Sequence, residues 1–346
     1  MTFRAGASGL NGPKPEKTKN CQVGVFLAYA TSSQTSIIAR NLYLPEDDWC
    51  GNSDRCDAAG IPEDKRVFKT KAELALELID EAIKNQINFK FVHMDAHYGV
   101  QPWLLKALEE RKLTYVADIS KSTCVFFGSP AMQTEEVSNE RFKVSMEGFA
   151  STVEALLNSG KIQLHKRVIR DIQRGKLIVN FAAVRVRKSY DNIPIPGEYW
   201  LLIRQELDGS ETKFSFSNAP EETSEDILAE WQTRRYWVER ALEDGKSIAG
   251  VDQYRVTGWR GWHHHTAMVM MAMLFLLLIK ESLLEDAPML TLQDALRIVK
   301  LLIPIKQPTI EDVLKIIKEN HMNRERSREH RLRKQKELLE GCKGME

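Results

Sequence analysis

The chain has 346 residues, of which 43% are hydrophobic and 28% charged, and 49 Lys+Arg balance 48 Asp+Glu to a formal net charge of +1. This composition excludes a mainly disordered, collagen-like or disulfide-scaffold protein. The balanced charge gives no overall signature of a nucleic-acid binder, so any polyanion must be bound by basic residues that are concentrated locally.

Residues 1–19 contain no apolar segment typical of a secretion signal and predict a flexible lead-in. The apolar run 266–279 is too short to span a bilayer and ends at Lys280, which predicts a buried helix and no membrane partner. The cysteines are scattered and odd in number, so we expect reduced thiols and a cytoplasmic protein. They are Cys21, Cys50, Cys56, Cys124 and Cys342.

The first third of the chain alternates between strand and helix patterns. Segments 21–31 and 36–44 predict two strands joined by a turn. Thr70 and Glu73 form a capping box that predicts a helix beginning there. Segments 88–94, 103–111 and 113–119 predict a strand, a helix and a strand, so we expect a sheet with helices packed on it.

The rest of the chain changes character twice. The apolar runs 177–186, 199–206 and 213–217 predict a β-rich insertion. Residues 223–248 then predict one long helix, residues 266–284 predict another, and shorter helices begin near Thr291 and Thr309. The segment 318–336 is mixed in charge with a basic excess, which is typical of a solvated helix or of a contact with a nucleic-acid backbone.

Several common chemistries lack their motifs in this sequence, namely the Walker A loop, G-x-G-x-x-G after a strand, H-E-x-x-H and G-x-S-x-G. Asp95 is a positive feature, because it follows a predicted strand and precedes a turn that contains Gly99. A carboxylate in this position suits Mg²⁺. It equally suits the cap of a helix, and both interpretations stay open.

Arg235, Glu239 and Lys246 lie along one stripe of the predicted long helix. A carboxylate flanked by cations suits a metal ion held together with a phosphodiester, although an exposed salt-bridged helix has the same spacing. Residues 254–265 are rich in Trp, Arg and His. We expect Trp259 to pack at the start of the following helix, with Arg260 and His263 near a polyanion.

Six segments between about residues 20 and 278 are NCQVGVFLAYA, LYLPEDDW, CDAAGIPED, HMDAHYG, RRYWVERALEDGK and GVDQYRVTGWRGWHHHTAM. In this order and spacing they resemble the insertion-sequence transposases of the DDE superfamily, whose cores are similar to RNase H and retroviral integrase. The resemblance implies an α/β, RNase H-like mixed sheet with flanking helices, interrupted by a β-rich insertion and followed by a helical C-terminal region.

The resemblance also implies site residues. Asp95 corresponds to the second metal-binding carboxylate of the family and Glu239 to the third, in a site for two Mg²⁺ or Mn²⁺ ions. Glu239 lies in a Tyr-x2-Arg-x3-Glu-x6-Lys signature, of which Arg235 and Lys246 are present and Gln232 replaces the Tyr. Nucleic-acid contacts are expected from Arg235, Lys246, Arg260, Trp259 and His263.

The first carboxylate of the family has no counterpart upstream of residue 20, so we expect an N-terminally truncated chain that lacks the first core strand. The expected organisation is a lead-in (1–19), a first core part (20–120), a β-rich insertion (121–222), a second core part that carries Glu239 (223–284) and a basic helical tail (285–346).

The expected function is a transposase-like DNA-binding protein whose Mg²⁺-dependent strand cleavage and strand transfer are incomplete. A non-catalytic, regulatory DNA-binding remnant is the alternative. Transposon ends and target DNA are the expected partners, together with further copies of the chain or full-length transposase, and we expect a cytoplasmic, nucleoid-associated protein. An unrelated metal hydrolase would instead use Asp95 with nearby histidines, namely His93, His97 and His263 to His265.

Overall fold

The computed structural model describes residues 2–7, 22–31, 34–128, 132–135, 143–146, 150–172, 175–190, 192–254, 258–303 and 308–342. Contacts divide the chain into two units, Met1–Gln293 and Asp294–Glu346. The first unit is a mixed α/β structure whose sheet is flanked by helices. The described residues of the second are mainly helical.

The strands in chain order are β1 (Thr2–Ala7), β2 (Val23–Ala30), β3 (Thr35–Tyr43), β4 (Val92–Met94), β5 (Tyr115–Ile119), β6 (Cys124–Phe127), β7 (Met132–Glu135), β8 (Lys143–Met146), β9 (Ser151–Thr152), β10 (His165–Ile172), β11 (Gly175–Tyr190), β12 (Ile193–Pro194), β13 (Tyr199–Gln205) and β14 (Thr212–Ser217). The α-helices are α1 (Ser53–Ala59), α2 (Lys71–Lys84), α3 (Ala96–Gly99), α4 (Pro102–Glu110), α5 (Val153–Asn158), α6 (Glu225–Thr233), α7 (Arg235–Ser247), α8 (Trp259–Ser282), α9 (Leu292–Leu302) and α10 (Ile310–Cys342).

The main sheet has the order β3-β2-β1-β4-β5-β14-β13-β11-β6-β9, with β10 and β12 also paired to β11. β2 pairs antiparallel with β1 and β3, whereas β4 pairs parallel with β1 and β5. The predicted hairpin of β2 and β3 is confirmed, as are the capping box of Thr70 with Glu73 and the alternation of β4, α4 and β5.

β1 corrects the expectation that the first core strand is missing from residues 1–19. It lies between β2 and β4 in the sheet. Its sequence TFRAGA contains no Asp or Glu. The segment has little strand signal of its own, but two neighbouring strands offer it backbone partners on both sides, and such context outweighs β-propensity. Residues 8–19 lie outside the described part of the chain.

The β-rich segment continues the same sheet. β14 pairs antiparallel with β5, and Ser215 lies opposite Asp118 in that pairing. The three strands that the sequence predicted between residues 177 and 217 correspond to β11, β13 and β14. Because β14 returns to β5, the side chains of the insertion lie beside those of the first core part.

Helices cover both faces of the first core part, because side chains of a strand alternate between faces. On β2, Leu27 packs into a cluster with residues of α2 and α4, while Phe26 packs with residues of α7 and α8. α6 packs over β11 and β13, where Leu228 meets Phe181. The helix pair α6 and α7 therefore covers the sheet where the core strands and the insertion meet.

The predicted long helix over residues 223–248 is wrong in one respect, because it breaks into α6 and α7 at Arg234. The backbone N–H of Arg234 donates to Trp231 and that of Trp237 donates to Arg234, which is the tighter three-residue spacing. The hydroxyl of Thr233 donates to the carbonyl of Glu230 and so competes with the helical pattern. The break makes Arg235 the first residue of α7.

α8 is buried on one face only, which corrects the expectation of a buried helix. Trp262, Val269 and Met273 lie in the core, whereas Met271 is 64% and Leu278 55% exposed. Within the described residues α8 is also the helix that is long and apolar enough to cross a membrane, with 33% of its most apolar window buried. By length and composition alone, one such helix is weak evidence for a membrane span.

The helix expected to begin near Thr309 and the basic segment 318–336 form one continuous helix, α10. Thr309 caps it, since its hydroxyl accepts from the backbone N–H of Asp312 and its own N–H donates to the Asp312 carboxylate. The side chains that the structure describes on α10 are exposed, and they include cations such as Arg324 and Arg328 as well as apolar residues such as Ile310 and Leu314.

A substitution at Gly99 can test how closely α3 packs against β5. A Cβ atom on Gly99 would lie 2.0 Å from the backbone carbonyl oxygen of Asp118, a separation that forces the helix away from the strand. We expect Gly99→Ala to lower the free energy of unfolding by about 1–3 kcal/mol in urea titrations. Gly51→Ala is the matched control, because its nearest atom is 4.0 Å away and its φ is −87°. Equal effects of the two substitutions would contradict the close packing.

Candidate active site

Asp95 lies at the carboxyl end of β4, where it caps the short helix α3. Its Oδ1 accepts a hydrogen bond of 2.9 Å from the backbone N–H of His97. The side chain is half-buried. Asp95 therefore caps a helix, which was one of its two interpretations. Its carboxylate also lies at the end of the sheet where β4 and β5 end.

Asp118 lies in β5, near the same edge. The sequence placed it at the end of the strand next to Asp95 but gave no reason to assign it to the site. In the parallel pairing of β4 with β5, Met94 lies opposite Ala117, so Asp95 and Asp118 are the next residues along the chain. Two acidic residues at the ends of adjacent parallel strands were the signal that could have assigned it. The Asp118 side chain is only 7% exposed.

A hydrogen-bonded network fixes Asp118 from the insertion side. Its Oδ1 accepts from the hydroxyl of Ser215 at 2.7 Å, and that hydroxyl accepts from Nε2 of Gln232 at 2.9 Å. Gln232 is buried and also donates to the carbonyl of Leu202 at 3.4 Å. The residue that replaces the signature Tyr thus links α6 to β13 and β14, and holds the Asp118 carboxylate in place.

Arg235 joins Asp118 to Glu239. Its Nη1 lies 2.6 Å from Oδ2 of Asp118 and its Nη2 lies 3.3 Å from Oε1 of Glu239, one turn along α7. Burial opposes the charge of Arg235, but the carboxylates of Asp118, Glu239 and Asp95 outweigh it and raise the Arg235 pKa. The structure therefore brings three of the sequence-predicted residues, Asp95, Arg235 and Glu239, into one electrostatic cluster.

His93 lies fully buried behind this cluster, with Nε2 3.8 Å from Oδ1 of Asp118. Burial lowers the pKa of His93 to about 4, an effect that the nearby charge of Asp118 only partly opposes. His93 is therefore neutral at pH 7 and adds no positive charge to the site.

Trp259 and His263 form a second group at the start of α8. Their rings lie 4.2 Å apart, and Trp259 packs against the small cluster of Leu44, Cys56 and Ile61. Arg40 of β3 donates to the backbone carbonyl of His263. Burial, together with the charges of Arg40 and Lys65, lowers the pKa of His263 to about 4.

Neutral His263 and packed Trp259 hold α8 against β3, as expected for Trp259. Arg260 and Lys246, by contrast, are exposed. These two cations are the predicted DNA-contacting residues whose side chains face solvent in the structure.

A comparison with known protein families matches the first part of the chain. Residues 13–141, just over a third of the chain, match the family model described as DDE superfamily endonuclease. This part of the chain is similar to the DDE superfamily endonucleases. No curated protein shows significant similarity to it. The matched region contains Asp95 and Asp118 and ends before Arg235 and Glu239. The placement of Arg235 and Glu239 in the cluster is therefore supported by the structure and by the sequence signature alone.

DDE superfamily nucleases generally use divalent metal ions, and the donor set of this protein fits a two-metal centre poorly. Within the part of the chain that the structure describes, no three His, Cys, Asp or Glu side chains are grouped so as to hold a metal ion. β1 adds no carboxylate, and Glu239 is engaged by a guanidinium. Cys50 and Cys56 are free thiols.

The buried state of His93 gives a pH prediction. Between about pH 6.5 and about pH 4 the unfolded chain binds a proton at His93 that the folded chain does not, so stability falls as the pH falls through this interval. We expect the wild type to lose up to about 3 kcal/mol more unfolding free energy than His93→Gln across it, measured by urea titration. His264→Gln, at an exposed position, is the control. Parallel pH profiles of wild type and His93→Gln would refute this prediction.

Proposed function

We propose that this transposase-like protein acts on DNA as a binding protein and that its own carboxylates support little or no strand cleavage. The observation that carries the proposal is the sheet order: β1 occupies the place between β2 and β4, and its sequence provides no carboxylate. Asp95 and Glu239 are then two of the three carboxylates that the family chemistry needs. We infer weak binding of Mg²⁺ or Mn²⁺ for the same reason.

The DNA-binding part of the proposal is supported by local concentrations of positive charge. Arg260 is the second residue of α8, Lys246 lies in the last turn of α7, and both are exposed. α10 carries further exposed cations, among them Arg324, Arg328 and Arg331. Such groups neutralise phosphates without reading the base sequence. We propose transposon ends and target DNA as the ligands, and a cytoplasmic, nucleoid-associated location.

A nicking assay tests the proposed lack of cleavage. On supercoiled plasmid with Mg²⁺ or Mn²⁺, we expect the wild type to produce no more nicked product than Asp95→Ala, because a two-metal centre is not assembled. Asp54→Ala serves as a matched control at an exposed acidic position outside the cluster. Robust nicking by the wild type and by Asp54→Ala that disappears in Asp95→Ala would overturn the proposal.

The alternative is a non-catalytic regulatory remnant that co-assembles with further copies of the chain or with full-length transposase. The exposed face of α8 favours it, because large apolar patches on a protein surface are typical of protein contacts. This face consists of Met268, Met271, Leu274, Phe275 and Leu278, each more than half exposed. It is uncharged along its length, so two copies could pair on it without bringing like charges together.

Salt-dependent DNA binding tests both versions of the binding proposal. We expect the affinity for duplex DNA to fall steeply with salt, and Arg260→Ala to reduce the slope of log K against log[salt] by about one, as the loss of one phosphate contact requires. Lys106→Ala is the matched control, because it removes one exposed charge from α4, on the sheet face opposite α8. Fluorescence anisotropy gives the slope, and sedimentation gives the number of chains per duplex.

A flat salt dependence would refute DNA binding by phosphate contacts. Equal slopes for Arg260→Ala and Lys106→Ala would remove Arg260 from the interface. One chain per duplex at every concentration would contradict co-assembly of further copies on DNA while leaving DNA binding intact.

A further inference from the structure

Two carboxylates contact one guanidinium at the junction of the two core parts, and another, Asp95, follows the strand next to β5. Arg235 contacts Asp118 at 2.6 Å and Glu239 at 3.3 Å, and it lies within electrostatic range of Asp95. Asp95 and Glu239 are the two carboxylates that the family resemblance assigns to metal ions. The third, Asp118, has no role in that assignment.

Asp118 gives the arrangement its rigidity. Its carboxylate is nearly inaccessible and accepts from Ser215 with one oxygen and from Arg235 with the other. Ser215 lies on β14, which pairs with β5. The hydrogen bond from Ser215 to Asp118 therefore joins two paired strands and does not depend on the position of a helix. Arg235 is consequently held by a buried carboxylate, while 28% of its side chain remains exposed.

A guanidinium is a permanent cation, and its planar fork of N–H donors matches two carboxylates at once. A divalent ion that binds between Asp95 and Glu239 must either displace this group or lie close to its positive charge. The second arrangement is repulsive, and the first leaves the buried Asp118 without its partner. Both make the cluster a poor cation site.

We infer that Arg235, anchored by Asp118, is the resident cation of this acidic cluster and takes the place that a divalent metal ion would occupy between Asp95 and Glu239. The inference concerns the charges of the chain itself and does not need the protein to bind or cleave DNA. Its test can therefore fail while the proposed function stands, and the proposed function can fail while the inference stands.

Binding of Mn²⁺ alone to the full chain tests it. We expect Arg235→Gln to bind Mn²⁺ at least tenfold more tightly than the wild type by calorimetry, and Mn²⁺ to raise the melting temperature of this variant but not that of the wild type. Arg234→Gln is the matched control. Arg234 is the preceding residue, but it pairs with Glu230 and donates to the carbonyl of Thr31.

Equal Mn²⁺ affinity in the wild type and Arg235→Gln would overturn the inference, as would an equal gain in Arg234→Gln. If Arg235→Gln fails to fold because Asp118 is left unpaired, the double variant Asp118→Asn with Arg235→Gln removes both charges. It keeps Asp95 and Glu239 without the competing cation, so we expect it to bind Mn²⁺ more tightly than the wild type. Weaker or equal binding by the folded double variant would overturn the inference as well.

Discussion

The ion pair between Asp118 and Arg235 is the interaction on which the site depends. It joins Asp118, on the last strand of the first core part, to Arg235, the first residue of α7, and the two are 117 positions apart in sequence. Removing one partner from such a buried pair leaves an uncompensated charge, at a cost of about 3–5 kcal/mol. The pair therefore fixes both the orientation of α7 and the position of Glu239.

The sheet makes this pair possible. The chain leaves β5, forms the β-rich segment and returns through β14, which lies directly beside β5. Ser215 thereby reaches Asp118, and α6 and α7 follow immediately across the same junction. Because the sheet continues from the core into the insertion, Ser215 of the insertion can donate the hydrogen bond that holds the buried carboxylate of Asp118.

The charge distribution explains how a chain with a net charge of +1 can be compatible with the proposed DNA binding. In the core, acidic and basic groups neutralise one another, as Asp118 and Glu239 do with Arg235. Exposed cations such as Arg260 and Lys246 then act locally. His93 and His263 add no charge, because burial lowers the pKa of each to about 4.

The sequence by itself determined the elements with strong local signals: the β2–β3 hairpin, the capping box of α2, the strands around Asp95 and the signature that contains Arg235 and Glu239. Local hydrogen bonding and apolar periodicity encode these features, so they can be inferred without knowing the fold. Only the tertiary structure decided that Thr2–Ala7 forms a central strand, that the long helix breaks at Arg234 and that Asp118 joins the site. The reason is physical, since each depends on partners far away in sequence: backbone groups of β2 and β4, the sheet under α6, and Ser215 on a strand that returns after the insertion.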